Sequence, residues 1–140
     1  MNSGFKLAMA IIVGVVAGSL VNISLVMLGP LLIAPPPGVD MSDMAAFAAA
    51  VDSMGPQHFL FPFLAHALGT FTGALVVWRL APRARFASAM GIGLFFLAGG
   101  IAAASMIPAP SWFIVLDLVV AYLPMAWLTT WLANTGERES

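Results

Sequence analysis

The sequence predicts an all-α fold: an integral membrane bundle of four transmembrane helices, with a short interfacial helix in the first outer loop. Three observations carry this reading. Of the 140 residues, 61% are hydrophobic and 8% are charged, and the mean hydropathy is +1.02, which is a membrane composition. The apolar residues gather into runs of roughly 20 or more, the length that crosses a hydrocarbon core at about 1.5 Å per residue. Breaks rich in proline or arginine separate those runs.

The first span is expected over residues 5–32. Its start, one lysine followed by apolar residues, also opens secretory signal peptides, but the apolar run continues to Ala34 without a small-x-small cleavage site. We therefore expect a retained anchor. Ala10, Gly14, Gly18 and Asn22 recur every four residues along it, which places small or polar groups on one face and lets another helix approach closely. Gly29-Pro30 and then Pro35-Pro36-Pro37-Gly38 are expected to end the span, because proline lacks the backbone donor and biases the preceding residue away from helix.

A surface helix is expected over 41–54, capped by Asp40 or Ser42, with Met44, Phe47, Ala48 and Val51 on one side. At roughly 14 residues it is too short to span, so it would lie flat on the membrane or fold over the mouth of the bundle. The second span is expected over 59–79, with Ala65, Gly69 and Gly73 as a further packing stripe. The third, 87–107, is rich in glycine and alanine. The fourth, 112–132, has Trp112 near one end and Trp127 and Trp131 toward the other, matching the two aromatic belts of a bilayer. A faint internal echo links PQHF at 56–59 with PSWF at 110–113, each opening the second helix of a hairpin.

Orientation follows from the basic residues. Lys6, Arg79, Arg83, Arg85 and Arg138 fall on one side, and Asp40, Asp43 and Asp52 on the other. Positive residues stay inside, so both termini of this multi-pass chain are expected in the cytoplasm. The net charge of −1 gives no basic field for nucleic acid. With no cysteine, disulfides, thiolate catalysis, cysteine-ligated iron–sulfur clusters and covalent c-type haem are excluded.

Polar groups inside a span usually face the protein interior and have partners. Counted from the outer helix ends, Asp117, His66 and Asn22 lie about 8, 12 and 15 Å deep, so they could converge. The specific expectation is that Asp117 accepts a hydrogen bond from His66, with Asn22 or Thr70 completing a polar cluster. Such a cluster would serve either as a protonatable site in a pathway or as a polar pair that fixes helix register. Tyr122 and Pro124 would line the same cleft or only kink the helix. His66 could also be the axial ligand of a haem or pigment. His58 lies eight residues away, about 12 Å along the helix, and cannot reach the same metal. No metal site and no cofactor are expected. The chain has no phosphate-binding glycine loop, no zinc-type histidine pair and no paired hydrolase carboxylates, so enzymatic activity is not expected.

The runs GPLLIAPPPGVDMSDM, HFLFPFLAHALGTFTGALV and IPAPSWFIVLDLVVAYLPMAWL resemble an uncharacterised family of small bacterial four-helix inner-membrane proteins. The resemblance covers nearly the whole chain. It implies a bacterial inner-membrane location and four spans, and it transfers no activity. Beyond the lipid bilayer, the partners expected are copies of the chain itself or other membrane subunits. The leading expectation is thus a structural or accessory subunit packing through its glycine faces. The alternative is a small transporter or channel for protons or a solute, using the His/Asp cluster.

Overall fold

The computed structural model describes residues 2–40 and 42–138. Those residues form six α-helices and no strand: α1 (Ser3–Leu32), α2 (Met44–Ala50), α3 (Leu60–Leu80), α4 (Arg85–Met106), α5 (Ser111–Val120) and α6 (Leu123–Arg138). Four stretches are long and apolar enough to cross a membrane, Ser3–Leu32, Pro56–Leu80, Arg85–Met106 and Ser111–Gly136. They run alternately up and down, so both ends of the described chain lie at the same end of the bundle as the 79–85 loop.

α1 begins at Asn2, whose side chain accepts the Phe5 N–H at 2.8 Å. It does not stop at Gly29-Pro30. The helix passes through Pro30 to Leu32 and closes on a 2.8 Å bond from Ile33 N–H to Gly29 O. Pro30 removes only one donor, and Leu31 and Leu32 complete the last turn beyond it.

α3 is the hub. It touches α1, α4, α5 and α6, whereas α1 lies along α3 and meets α4 only slightly. The α1–α3 contact is backbone against backbone. A Cβ placed on Gly18 would sit 2.6 Å from Gly69 O, and one on Gly69 would sit 2.9 Å from Gly18 O. One turn away, a Cβ on Gly14 would sit 2.8 Å from Gly73 O and strike Val77, and one on Gly73 would sit 2.9 Å from Gly14 O. The two small-residue stripes, Ala10-Gly14-Gly18 and Ala65-Gly69-Gly73, therefore lie within one chain, and their glycines face each other. They maximise van der Waals contact where lipid offers no hydrophobic drive.

The third span divides its glycines. A Cβ on Gly93 would sit 2.8 Å from the Ala126 Cβ and one on Gly100 would strike the Tyr122 ring, while a Cβ on Gly91 or Gly99 would meet nothing. The loop before it is tight, and Ala84 takes the left-handed conformation (φ 51°) to turn the chain into α4.

The surface helix is shorter than 41–54. Met41 lies outside the described residues. α2 is seven residues long, capped by Asp43, which accepts from Ala45 N–H at 2.9 Å and Ala46 N–H at 3.4 Å. Asp40 is not a cap. It accepts instead from the Ser42 hydroxyl and backbone N–H, and these bonds hold its carboxyl below the usual carboxylate range. A 3₁₀ turn at Val51–Ser53 follows. Val51 and Met54 pack with Phe59 and Phe113, and Phe47 leans on the same cluster. This segment thus folds over the mouth of the bundle. Beneath it, the phenylalanines of the PQHF and PSWF stretches, Phe59 and Phe113, pack at a tilt of 39° with centroids 5.0 Å apart.

The fourth span is broken. α5 ends at Val120 and α6 starts at Leu123, with a turn at Ala121-Tyr122. Pro124, in the first turn of α6, cannot donate back to Val120, which is why the helix restarts there.

Candidate functional site

Next to that break sits the chain's polar centre. Asp117, at the inner face of α5, is 4% exposed. His66 of α3 donates Nδ1–H to both of its oxygens, at 2.8 and 2.9 Å. The Tyr122 hydroxyl donates to Asp117 Oδ2 at 3.0 Å, and the Tyr122 ring stacks on the imidazole with centroids 5.6 Å apart. The His66–Asp117 contact has ion-pair geometry. The carboxylate is thus held by two donors, and the imidazole is fixed in position and tautomer. With Nδ1 donating to Asp117, Nε2 is an acceptor when the ring is neutral and a donor when it is protonated.

His66 lines two cavities. The first, about 290 Å³, is bounded by Ser19, Asn22 and Ile23 of α1, by Phe96, Gly99, Gly100 and Ala103 of α4, and by Tyr122. The second, about 250 Å³, lies toward the bundle mouth, where Phe47, Phe59, Phe113, Ile114 and Leu118 surround it. Asn22 therefore shares a cavity with His66 without bonding to the His66–Asp117 pair. Neither the Asn22 amide nor the Ser19 hydroxyl has a hydrogen-bond partner among the described residues. Four other hydroxyls in the spans bond to their own helix. Ser24, Ser105, Thr129 and Thr130 each donate to a carbonyl of their own helix, at 2.6–3.0 Å.

Thr70 is not part of the cluster. One turn beyond His66 and 1% exposed, it is sealed inside the bundle and its hydroxyl has no partner. Tyr122 holds the place that Thr70 or Asn22 was expected to take. His58 is tied to the protein at the mouth of the bundle. Its Nδ1 lies 3.2 Å from Gly55 O and its Nε2 3.2 Å from Ala34 O, linking the end of the first span to the start of the second. No cluster of three metal-ligating side chains occurs among the described residues.

The close fit of Gly100 against Tyr122 gives the site a direct test. A Cβ on Gly100 would strike the Tyr122 hydroxyl and ring. Gly100→Ala is expected to lower stability by about 1–3 kcal/mol through overpacking, against the gain of about 1 kcal/mol that alanine normally brings to a helix interior. Gly99→Ala, which meets only open space, is expected to be neutral or stabilising. Thermal unfolding of the two variants side by side checks the contrast.

Searches of protein-family models, curated proteins and solved structures find no match to this chain.

Proposed function

We propose that this chain is a small solute carrier of the bacterial inner membrane, with its binding site in the cleft at His66. One observation carries the reading: three polar residues, Ser19, Asn22 and His66, line one cavity within the spans, and among the described residues neither the Ser19 nor the Asn22 side chain has a hydrogen-bond partner. An unpaired polar group in a low-dielectric setting is costly, by about 1–3 kcal/mol on protein mutational scales, and intramembrane polar residues commonly mark substrate or proton routes. Asp117 and Tyr122 brace the imidazole from behind, so its free nitrogen is presented rigidly to an occupant. The broken fourth helix beside the site is the arrangement by which carriers place irregular backbone at a binding centre.

For the accessory-subunit reading, the glycine stripes of α1 and α3 are turned on each other and so do not serve as its docking face. An assembly would use other exposed apolar faces, which α1, α4, α5 and α6 all carry. The basic residues Lys6, Arg79, Arg83 and Arg85 share one end of the bundle, which favours a cytoplasmic placement for that end and for both termini.

The test is flux in proteoliposomes that trap a pH-sensitive dye, challenged with hydrophilic acids, amines and neutral solutes. At least one solute is expected to drive proton movement well above protein-free vesicles, falling to background in Asp117→Asn. A folded protein that moves no proton with any of them overturns the proposal.

A further inference from the structure

We infer that His58 is a proton-operated clip at the end of the bundle opposite the arginines. With both ring nitrogens protonated it ties the exit of the first span to the start of the second and holds α2 closed over the mouth; with one proton lost it lets the mouth open. The clip goes beyond the carrier reading and rests on it only for what the mouth admits.

The two nitrogens of the ring face the same kind of partner. Nδ1 lies 3.2 Å from Gly55 O and Nε2 3.2 Å from Ala34 O, and a carbonyl oxygen only accepts. A neutral imidazole carries one N–H and one lone pair, whereas the imidazolium carries two N–H groups. Only the protonated ring therefore satisfies both contacts. In the neutral ring, whichever nitrogen keeps its hydrogen, the other sets a lone pair against a carbonyl oxygen. The Gly55 oxygen also accepts the His58 backbone N–H, at 3.1 Å, so that side is held locally whatever the ring does. The Ala34 contact spans 24 positions of sequence, and it is the one that joins the two spans.

Other charges do not compete for the ring. Among the described residues lining the pocket beside it, His58 alone titrates: the exit of α1 presents Ile33 and Pro35, the turn before α3 presents Gln57, and α3 presents Phe61 and Pro62. The carboxylates of the loop are placed elsewhere. Asp40 accepts from Ser42, Asp43 caps α2, and Asp52 is exposed.

The stretch closed by the clip carries α2, whose Phe47 lines the cavity under the mouth together with Phe59, Phe113, His66 and Asp117. Tying that stretch at both ends keeps Phe47 seated over the polar centre. The closed mouth holds one proton more than the open one, so acid favours closure and its loss follows as the pH rises. Histidine exchanges its proton between about pH 5 and 8, and one proton moves such an equilibrium by at most about tenfold per pH unit.

The experiment uses full-length protein in nanodiscs. The chain has no cysteine, so Ala49→Cys on α2 and Ala87→Cys near the far end of α4, both at exposed positions, carry a unique spin-label pair for distance measurement by electron resonance. One narrow distance is expected at about pH 5, and at about pH 8 a longer one, with the ratio of long to short at least tenfold higher. In His58→Ala the longer distance should dominate at both. Nitrogen-15 shifts of the His58 ring in the otherwise unaltered chain should show two protonated nitrogens when the mouth is closed and one when it is open. A distance that ignores pH, a pH response that survives His58→Ala, or a neutral ring in the closed form overturns the inference. If the mouth responds as expected while no solute drives proton flux, the clip stands and the carrier reading falls.

Discussion

Gly18→Leu is expected to split the first helical hairpin and produce the largest loss of stability of any single substitution in the chain. The new side chain would have to fit where even a Cβ lies 2.6 Å from Gly69 O and 2.9 Å from the Phe96 ring. One obstacle is backbone, which cannot rotate aside, so the helices themselves must separate. Overpacking in a tight core typically costs 1–3 kcal/mol, about the upper end of which is a floor here, because separation also undoes the Gly14–Gly73 contact one turn away. Gly91→Leu is the matched control. It is also a helical glycine in a span, but a Cβ there meets nothing, and its effect is expected to stay within about 0.5 kcal/mol. Unfolding in mild detergent, followed by circular dichroism, distinguishes the two. Equal effects would show that the glycines are only compositional.

Asp117 gives the second large effect, and the choice of substitution separates structure from function. Asp117→Ala leaves the His66 N–H and the Tyr122 O–H without their acceptor. In a soluble core each lost partner would cost about 1–3 kcal/mol. Within a bilayer the separated helices also find partners, and measured values fall nearer about 0.6 kcal/mol per bond, so a total of about 1–3 kcal/mol is expected. Asp117→Asn should cost less than about 1 kcal/mol, because the amide oxygen still accepts from Tyr122. Its NH₂, however, can only donate to Nδ1, which moves the ring hydrogen to Nε2. The nitrogen facing the cavity then changes from acceptor to donor. Nitrogen-15 chemical shifts of the His66 ring report this exchange directly, with Nδ1 protonated in the parent and Nε2 in the variant. The same tautomer in both proteins would sink the argument.

The spans were legible because length and apolarity alone decide what crosses a bilayer, and the glycine stripes because their four-residue spacing marks one face. What the stripes face could not be read, since periodicity defines a surface and not its partner. The pairing of His66 with Asp117 was accessible through depth, as few polar groups occupy that level. Tyr122 was not. It follows Asp117 by five residues, which on a continuous helix sets the two about 140° apart, so only the break at Ala121-Tyr122 turns the phenol onto the carboxylate. Thr70 failed for the opposite reason. Its spacing from His66 places it on the same side of α3, but one turn farther along, where neighbouring helices close over it. The first span was read to Leu32, where α1 ends, with Pro30 inside its last turn. In hydrocarbon, where an unfolded turn would expose several more backbone groups, a single missing donor is the smaller loss.

The meeting of Gly14 and Gly18 with Gly73 and Gly69 also permits an order of assembly. The two helices it joins are the first two spans of the chain, so they leave the insertion machinery consecutively and can lock together before the rest has been made. The later hairpin then docks against a finished wall. Until it arrives, the imidazole of His66 stands at the edge of that wall with neither Asp117 nor Tyr122 beside it, facing lipid alone. A nascent chain halted after its second span would therefore be well packed yet polar on its open side, and the delivery of one carboxylate and one phenol is what commits the second hairpin to its place.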